Sequence, residues 1–138
     1  ASEKYQRLYN SYGERAVSLP CPGLMDFVER GEIDTPAVRA YLMEKFAPYL
    51  ADGRAPTAVV LGCTHYVFLR PLLREILPEN VQVLDGNEGT ARQLRRVLTE
   101  NDLLCARETP GKITLETSGA PETVLPVMRR LLVRADTM

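Results

Sequence analysis

Cys63-Thr64-His65 sets a thiol and an imidazole two residues apart, a pairing that can turn a cysteine into a working base. A free thiol titrates near ~8.5, so a thiolate base at neutral pH needs cationic or dipolar help close by. The flanking residues say where such help would come from. Ala58 to Leu61 is a short continuous apolar run, the pattern of a strand covered on both faces. Gly62 ends it and permits a turn or the close approach of a ligand. Val67 to Leu77 then reads as a helix with Leu69, Leu72, Leu73, Ile76 and Leu77 on one face and Pro78 as its stop. The three residues therefore fall on a strand-to-helix loop at the carboxyl end of a strand, where open α/β sheets bind ligands. Free N–H groups at the coming helix start would favour an anion, either a thiolate or a substrate carboxylate.

The remaining elements alternate in the same way. Glu3 to Tyr12 reads as a short helix, Ala16 to Leu19 as a strand, and Pro22 to Arg30 as a helix closed by Gly31. Thr35-Pro36 is a helix start, a capping residue followed by proline in the first turn. Val38, Tyr41, Leu42, Phe46 and Tyr49 continue it at helical spacing, and Pro48 should end or kink its last turn. Val81 to Leu84 is a strand and Asp85-Gly86 a turn. A helix from about Asn87 follows, expected to be buried through Ala91, Leu94, Val97 and Leu98. Lys112 to Thr117 alternates as a half-exposed strand, and Pro121 to Arg134 is a last helix with an awkward Pro126. Such alternation predicts an α/β fold with a mainly parallel sheet flanked by helices.

Composition narrows the class. The chain has 138 residues, 45% hydrophobic and 25% charged, ordinary values for one globular domain and not those of a disordered segment. A net charge of -1 gives no electrostatic footprint for nucleic acid or an anionic membrane. No apolar run approaches the ~20 residues of a membrane span, and no signal-peptide core opens the sequence. Cys21, Cys63 and Cys105 are odd in number and widely spaced, which is no disulfide framework. A reducing, cytoplasmic setting is expected. Cys63-x-His65 alone has too few ligands for zinc, so no metal site is expected.

Three blocks, in order, resemble glutamate racemases. They are Thr57 to Tyr66 with the apolar helix behind it, the Cys21-Pro22 segment running into Val28-Glu29, and Val81-Gln82-Val83-Leu84-Asp85. The resemblance covers roughly Ser2 to Leu98. It implies a cofactor-independent racemase of two similar α/β lobes, with glutamate held between them and one catalytic cysteine from each. Cys63 matches the second of these cysteines, and His65 the histidine that assists proton transfer. Thr64 matches a substrate contact, and Glu29 the glutamate that approaches the substrate amino group and the histidine. Pyridoxal phosphate is not expected, because none of Lys4, Lys45 and Lys112 sits in a phosphate-binding context.

Only the later half of such a protein is resembled. The earlier half's Asp-Ser-Gly segment and Asn-Thr-flanked cysteine are absent, and the chain opens on Ala1, so a fragment missing the N-terminal lobe is expected. The resemblance divides it into residues 1–85, the second lobe, and 86–138, a segment that returns to the first. Helices at 87–101 and 121–134 would then lack their native cover, and self-association into a homo-oligomer, domain exchange or local disorder is expected. Val67 stands where many members carry proline, at small cost. Aspartate racemases tend to carry glutamate after Cys-Thr, so His65 favours glutamate as substrate. The physiological product by this resemblance is D-glutamate for peptidoglycan.

Plainer readings attach to the same residues. A cysteine after an apolar strand is commonly a small buried hydrophobe, and a lone histidine a satisfied structural group. Glu29 near a helix end could be merely solvated, Cys21 between two prolines reads as structural, and Cys105 as incidental. Other functions compatible with the sequence are a related racemase acting on aspartate or another small acid, and a non-catalytic interaction domain.

Overall fold

The computed structural model describes residues 3–51, 55–107 and 109–135. It contains six α-helices and two β-strands among these residues. In chain order they are α1 (Glu3–Tyr12), α2 (Leu24–Glu29), α3 (Pro36–Leu50), β1 (Ala58–Val60), α4 (Arg70–Ile76), β2 (Gln82–Leu84), α5 (Asn87–Glu100) and α6 (Pro121–Ala135). Strands β1 and β2 pair in parallel, with Ala58, Val59 and Val60 opposite Gln82, Val83 and Leu84. The ladder is bounded by bonds from the Gln82 N–H to the Thr57 carbonyl at 3.0 Å and from the Leu61 N–H to the Leu84 carbonyl at 2.8 Å. The helix-rich fold with its small parallel sheet is compatible with the α/β expectation.

Two glycines decide where α2 begins and ends. Pro22 and Gly23 are the central residues of a type II turn, closed by the Leu24 N–H on the Cys21 carbonyl at 3.2 Å. Gly23 takes the positive φ of 78° that the third position of this turn demands. At the far end Gly31 lies at φ 73°. Its N–H reaches the Val28 carbonyl and the Glu32 N–H the Phe27 carbonyl, both at 2.8 Å, the paired bonds of a Schellman motif. A side chain at position 23 would be strained in the left-handed region, at about 1–2 kcal/mol. Gly23→Ala is therefore expected to lower the urea midpoint, and an unchanged midpoint would refute the turn assignment.

Helix α3 starts as its sequence demands. The Thr35 side chain accepts the Val38 N–H at 3.4 Å, and Pro36 occupies the first turn, where a missing N–H costs nothing. Pro48 falls in the last turn and the helix ends two residues later. Val38, Leu42 and Phe46, spaced at i, i+4 and i+8, are its buried stripe. They join Leu24 and Val28 of α2, Leu69, Leu72, Leu73 and Leu77 around α4, Val81 just ahead of β2 and Val83 within it in one core. Arg39 of α3 also pairs with Glu75 of α4 at the surface.

Several expectations are corrected. Ala16 to Leu19 is not a strand. Ala16 is extended, at φ -124° and ψ 137°, but neither strand of the sheet pairs with the segment. Lys112 to Thr117 also lacks a ladder, and Ile113 is exposed. The sheet is covered on one face only: Val59 of β1 packs on the core and Val83 of β2 is buried, whereas Val60 is 71% and Leu84 44% exposed. The helix read from Val67 opens as a 3-10 turn over Tyr66–Leu69 and becomes α-helical only at Arg70. Helix α5 buries none of its residues, with Leu94 and Val97 both exposed. Its apolar stripe follows the sequence pattern, but among the described residues none buries it. Helix α6 does touch the rest of the fold: Leu131 packs on the core and the Arg130 guanidinium donates to the Gly31 carbonyl at 2.9 Å.

Candidate functional site

Cys63, Thr64 and His65 occupy a tight turn between β1 and the 3-10 turn, closed by the Tyr66 N–H on the Cys63 carbonyl at 3.1 Å. With the backbone bent in this way, the two side chains come back toward each other. Cys63 Sγ lies 3.7 Å from His65 Nδ1, within hydrogen-bond reach for sulfur. The other ring nitrogen, Nε2, lies 3.4 Å from Glu29 Oε1. Glu29 is the last residue of α2, so the Schellman stop that ends this helix also sets the carboxylate opposite the imidazole. Cys63 and His65 are half-buried and Thr64 is exposed beside them.

These contacts define a chemical direction. A proton on Nε2 facing the carboxylate leaves Nδ1 as the acceptor for the thiol proton. The geometry thus places an acceptor nitrogen at the thiol and a carboxylate at the opposite nitrogen of the same ring. Glu29 is more than half exposed, at 57%, which leaves its second carboxylate oxygen open to a cationic group. Among the described residues no three His, Cys, Asp or Glu side chains are grouped to hold a metal. The anion-binding helix start expected behind Cys63 is replaced by the 3-10 turn, whose Tyr66 and Phe68 N–H groups are already bonded to the Cys63 and His65 carbonyls.

Two tyrosines that sequence reasoning did not single out for this role hold the Cys21-Pro22 segment ahead of α2. The Tyr66 hydroxyl donates to the Cys21 carbonyl at 3.1 Å, and the Tyr41 hydroxyl to the Pro22 carbonyl at 2.9 Å. Burial pushes the Tyr41 phenol up to about 12, with the neighbouring Cys21 adding to the shift. Tyr66 moves in the same direction, chiefly through burial and then through Cys21 and Cys63. Both hydroxyls therefore stay protonated donors. The Cys21 thiol is itself raised by burial, against the opposing pull of Lys45 and of a Tyr41 hydrogen bond. The shift favours its neutral thiol form. Cys105 is exposed on the segment after α5, where a hydrogen bond from Arg107 favours its thiolate.

No protein-family model matches the chain. Individual relatives do. A glutamate racemase of Clostridium perfringens is 36% identical over 132 residues, covering 94% of this chain and 50% of the relative. One of Pseudomonas putida is 40% identical, covering 92% and 49%, and one of Pseudomonas entomophila is 37% identical, covering 98% and 51%. Over the half it spans, the chain is homologous to glutamate racemases. It covers about half the length of the curated relatives it matches.

The racemase resemblance also singled out the strand ending in Asp85, and a specific contact occupies that end. Asp85 accepts the Asn87 N–H at 2.8 Å on Oδ1 and pairs with the Arg70 guanidinium through Oδ2. The pair ties the end of β2 to the start of α4, beside an open cleft of about 390 Å³ that Phe68, Leu84 and Glu88 also line. The backbone hydrogen bond, aided by Arg70 and opposed by burial, holds the carboxyl below the usual aspartate range. A folded pKa below the unfolded value of about 3.9 stabilises the fold above that pH and ceases to do so as pH falls through the folded value. Asp85→Asn is thus expected to be less stable than the parent at pH 7, with the difference shrinking as pH drops below about 4. Urea midpoints at neutral and acid pH measure it, and a difference that stays constant would contradict the assignment.

Proposed function

We propose that this chain is the cysteine-bearing second lobe of a glutamate racemase, interconverting L- and D-glutamate without a cofactor. Residues 1–85 form the lobe and 86–138 the segment that packs on the first lobe. Cys63 acts as one of two thiols on opposite faces of the substrate. As thiolate it takes the Cα proton from its own face, while a thiol of the first lobe delivers a proton to the other. Removing a proton from Cα, a very weak acid, is the hard step, and a base held at van der Waals distance lowers it by general-base catalysis and by avoided reorientation.

His65 keeps Cys63 deprotonated by accepting its proton at Nδ1, and returns it when the reaction runs the other way. Glu29 orients the imidazole through Nε2 and offers its open oxygen to the substrate ammonium. Thr64, exposed beside the thiol, supplies its N–H and hydroxyl to a substrate carboxylate. The product D-glutamate serves peptidoglycan synthesis. One thiol cannot serve both faces of Cα, so the chain by itself is inactive.

The approach of Cys63 Sγ to His65 Nδ1 at 3.7 Å, with Glu29 on the far nitrogen, is the observation that carries this reading. Its test is Cα–H exchange of L- and D-glutamate in D2O, followed by NMR and chiral analysis. The protein joined to its missing lobe should exchange with inversion, and the present chain should show background only. Absence of exchange in the two-lobe protein would overturn the racemase reading. Exchange with inversion by the chain alone would overturn the half-site reading.

A further inference from the structure

Four contacts link the segments of the site into a closed ring. The Tyr66 N–H closes the Cys63 turn at 3.1 Å, and the Tyr66 hydroxyl crosses 45 residues of sequence to the Cys21 carbonyl. The same carbonyl accepts the Leu24 N–H at 3.2 Å, so it is the point from which α2 departs. Six helical residues later Glu29 meets His65, the residue next to Tyr66. The Tyr66 hydroxyl thus joins the start of α2 to the Cys63 turn through a directional side-chain hydrogen bond. The Tyr41 bond to Pro22 comes from α3, on a separate element.

We infer that Tyr66 is a positioning residue of this site: its hydroxyl, bonded to the Cys21 carbonyl, sets where α2 places Glu29 against His65. Tyr66 touches no reacting atom. It acts because, apart from the His65–Glu29 contact itself, the two segments that supply the imidazole and the carboxylate meet through apolar packing, which is not directional, whereas a hydrogen bond fixes both distance and angle. Its consequence for the reaction rests on the racemase reading. Its consequence for the geometry does not.

His65 is the chain's one histidine, so its ring protons give isolated NMR signals. The experiment is the nuclear Overhauser effect from these ring protons to the Glu29 side chain in the parent chain, in Tyr66→Phe and in Tyr41→Phe. The parent and Tyr41→Phe are expected to show the cross-peak, and Tyr66→Phe to lose it while the amide spectrum of α3 is kept. Replacing Tyr66 by p-aminophenylalanine, which retains a donor, should restore it. A full cross-peak in Tyr66→Phe would overturn the inference, and so would its loss in Tyr41→Phe, which would mean general loosening of the loop. If Tyr66→Phe does not fold, the p-aminophenylalanine variant decides, since a folded variant without the cross-peak is contrary to the inference. In the two-lobe protein, Tyr66→Phe is expected to lower kcat about three- to tenfold, the size of one lost hydrogen bond. A two-lobe protein with no racemisation would sink the racemase reading and leave the NMR result standing.

Discussion

Cys63→Ser in the protein carrying both lobes is expected to lose racemisation by about 10²- to 10⁴-fold, the range associated with removing a positioned general base. Serine keeps the size of the side chain, but its hydroxyl is far too weak an acid to become a base at neutral pH by passing its proton to an imidazole 3.7 Å away. The loss should be unequal in character. Glutamate of the hand whose Cα–H faces Cys63 has no base left and should exchange at background. The opposite hand still meets the other lobe's thiol and should retain part of its deuterium wash-in without inverting. Separate measurement of exchange and inversion for L- and D-glutamate reads this directly. Equal retention of exchange for both hands would show that Cys63 is not a face-specific base.

The second large effect belongs to the core. Leu69→Ala should destabilise the chain by about 2–5 kcal/mol, the usual cost of emptying a fully packed leucine site. Leu69 is 0% exposed and ends the 3-10 turn that follows His65. It has little room for the neighbours to collapse, because Leu42, Leu72 and Val28 around the same core are also fully buried. Denaturant titration measures the cost. Leu94→Ala on α5 is the internal control, since that side chain is 58% exposed and should change stability by less than about 0.5 kcal/mol. A small effect at Leu69 would mean that the core is not built around the site turn.

Features that depend on a few adjacent residues were legible in the sequence. Thr35-Pro36 marked the start of α3 because capping is local, and Gly31 marked the end of α2 because only a left-handed residue closes a Schellman motif. The strand pair was legible from apolar runs at Ala58 and Val81. Ala16 to Leu19 and Lys112 to Thr117 misled because a strand needs a partner, and period alone cannot report whether one exists. Leu94 and Val97 lie on a stripe that the sequence draws correctly, but what covers a stripe is a property of the neighbours. Cys63 and His65 were found together because a single residue, Thr64, separates them. Glu29 was placed near them only through family resemblance. The Tyr66 and Tyr41 bonds were not legible, since their acceptors are backbone carbonyls and carry no residue-type signature.

The clamped ends of α2 make it a lever. Six helical residues span about 9 Å, so a tilt of about 10° at the Gly23 turn would carry Glu29 sideways by about 1.5 Å. Displacements of about 1 Å are enough to cost two orders of magnitude where proton transfer depends on alignment. Mechanical error at a surface turn would thus reach the imidazole amplified rather than damped. Substitutions at Gly23 and Gly31 should therefore be read by their effect on angle as well as on stability. An altered chain that melts normally can still hold its carboxylate in the wrong place.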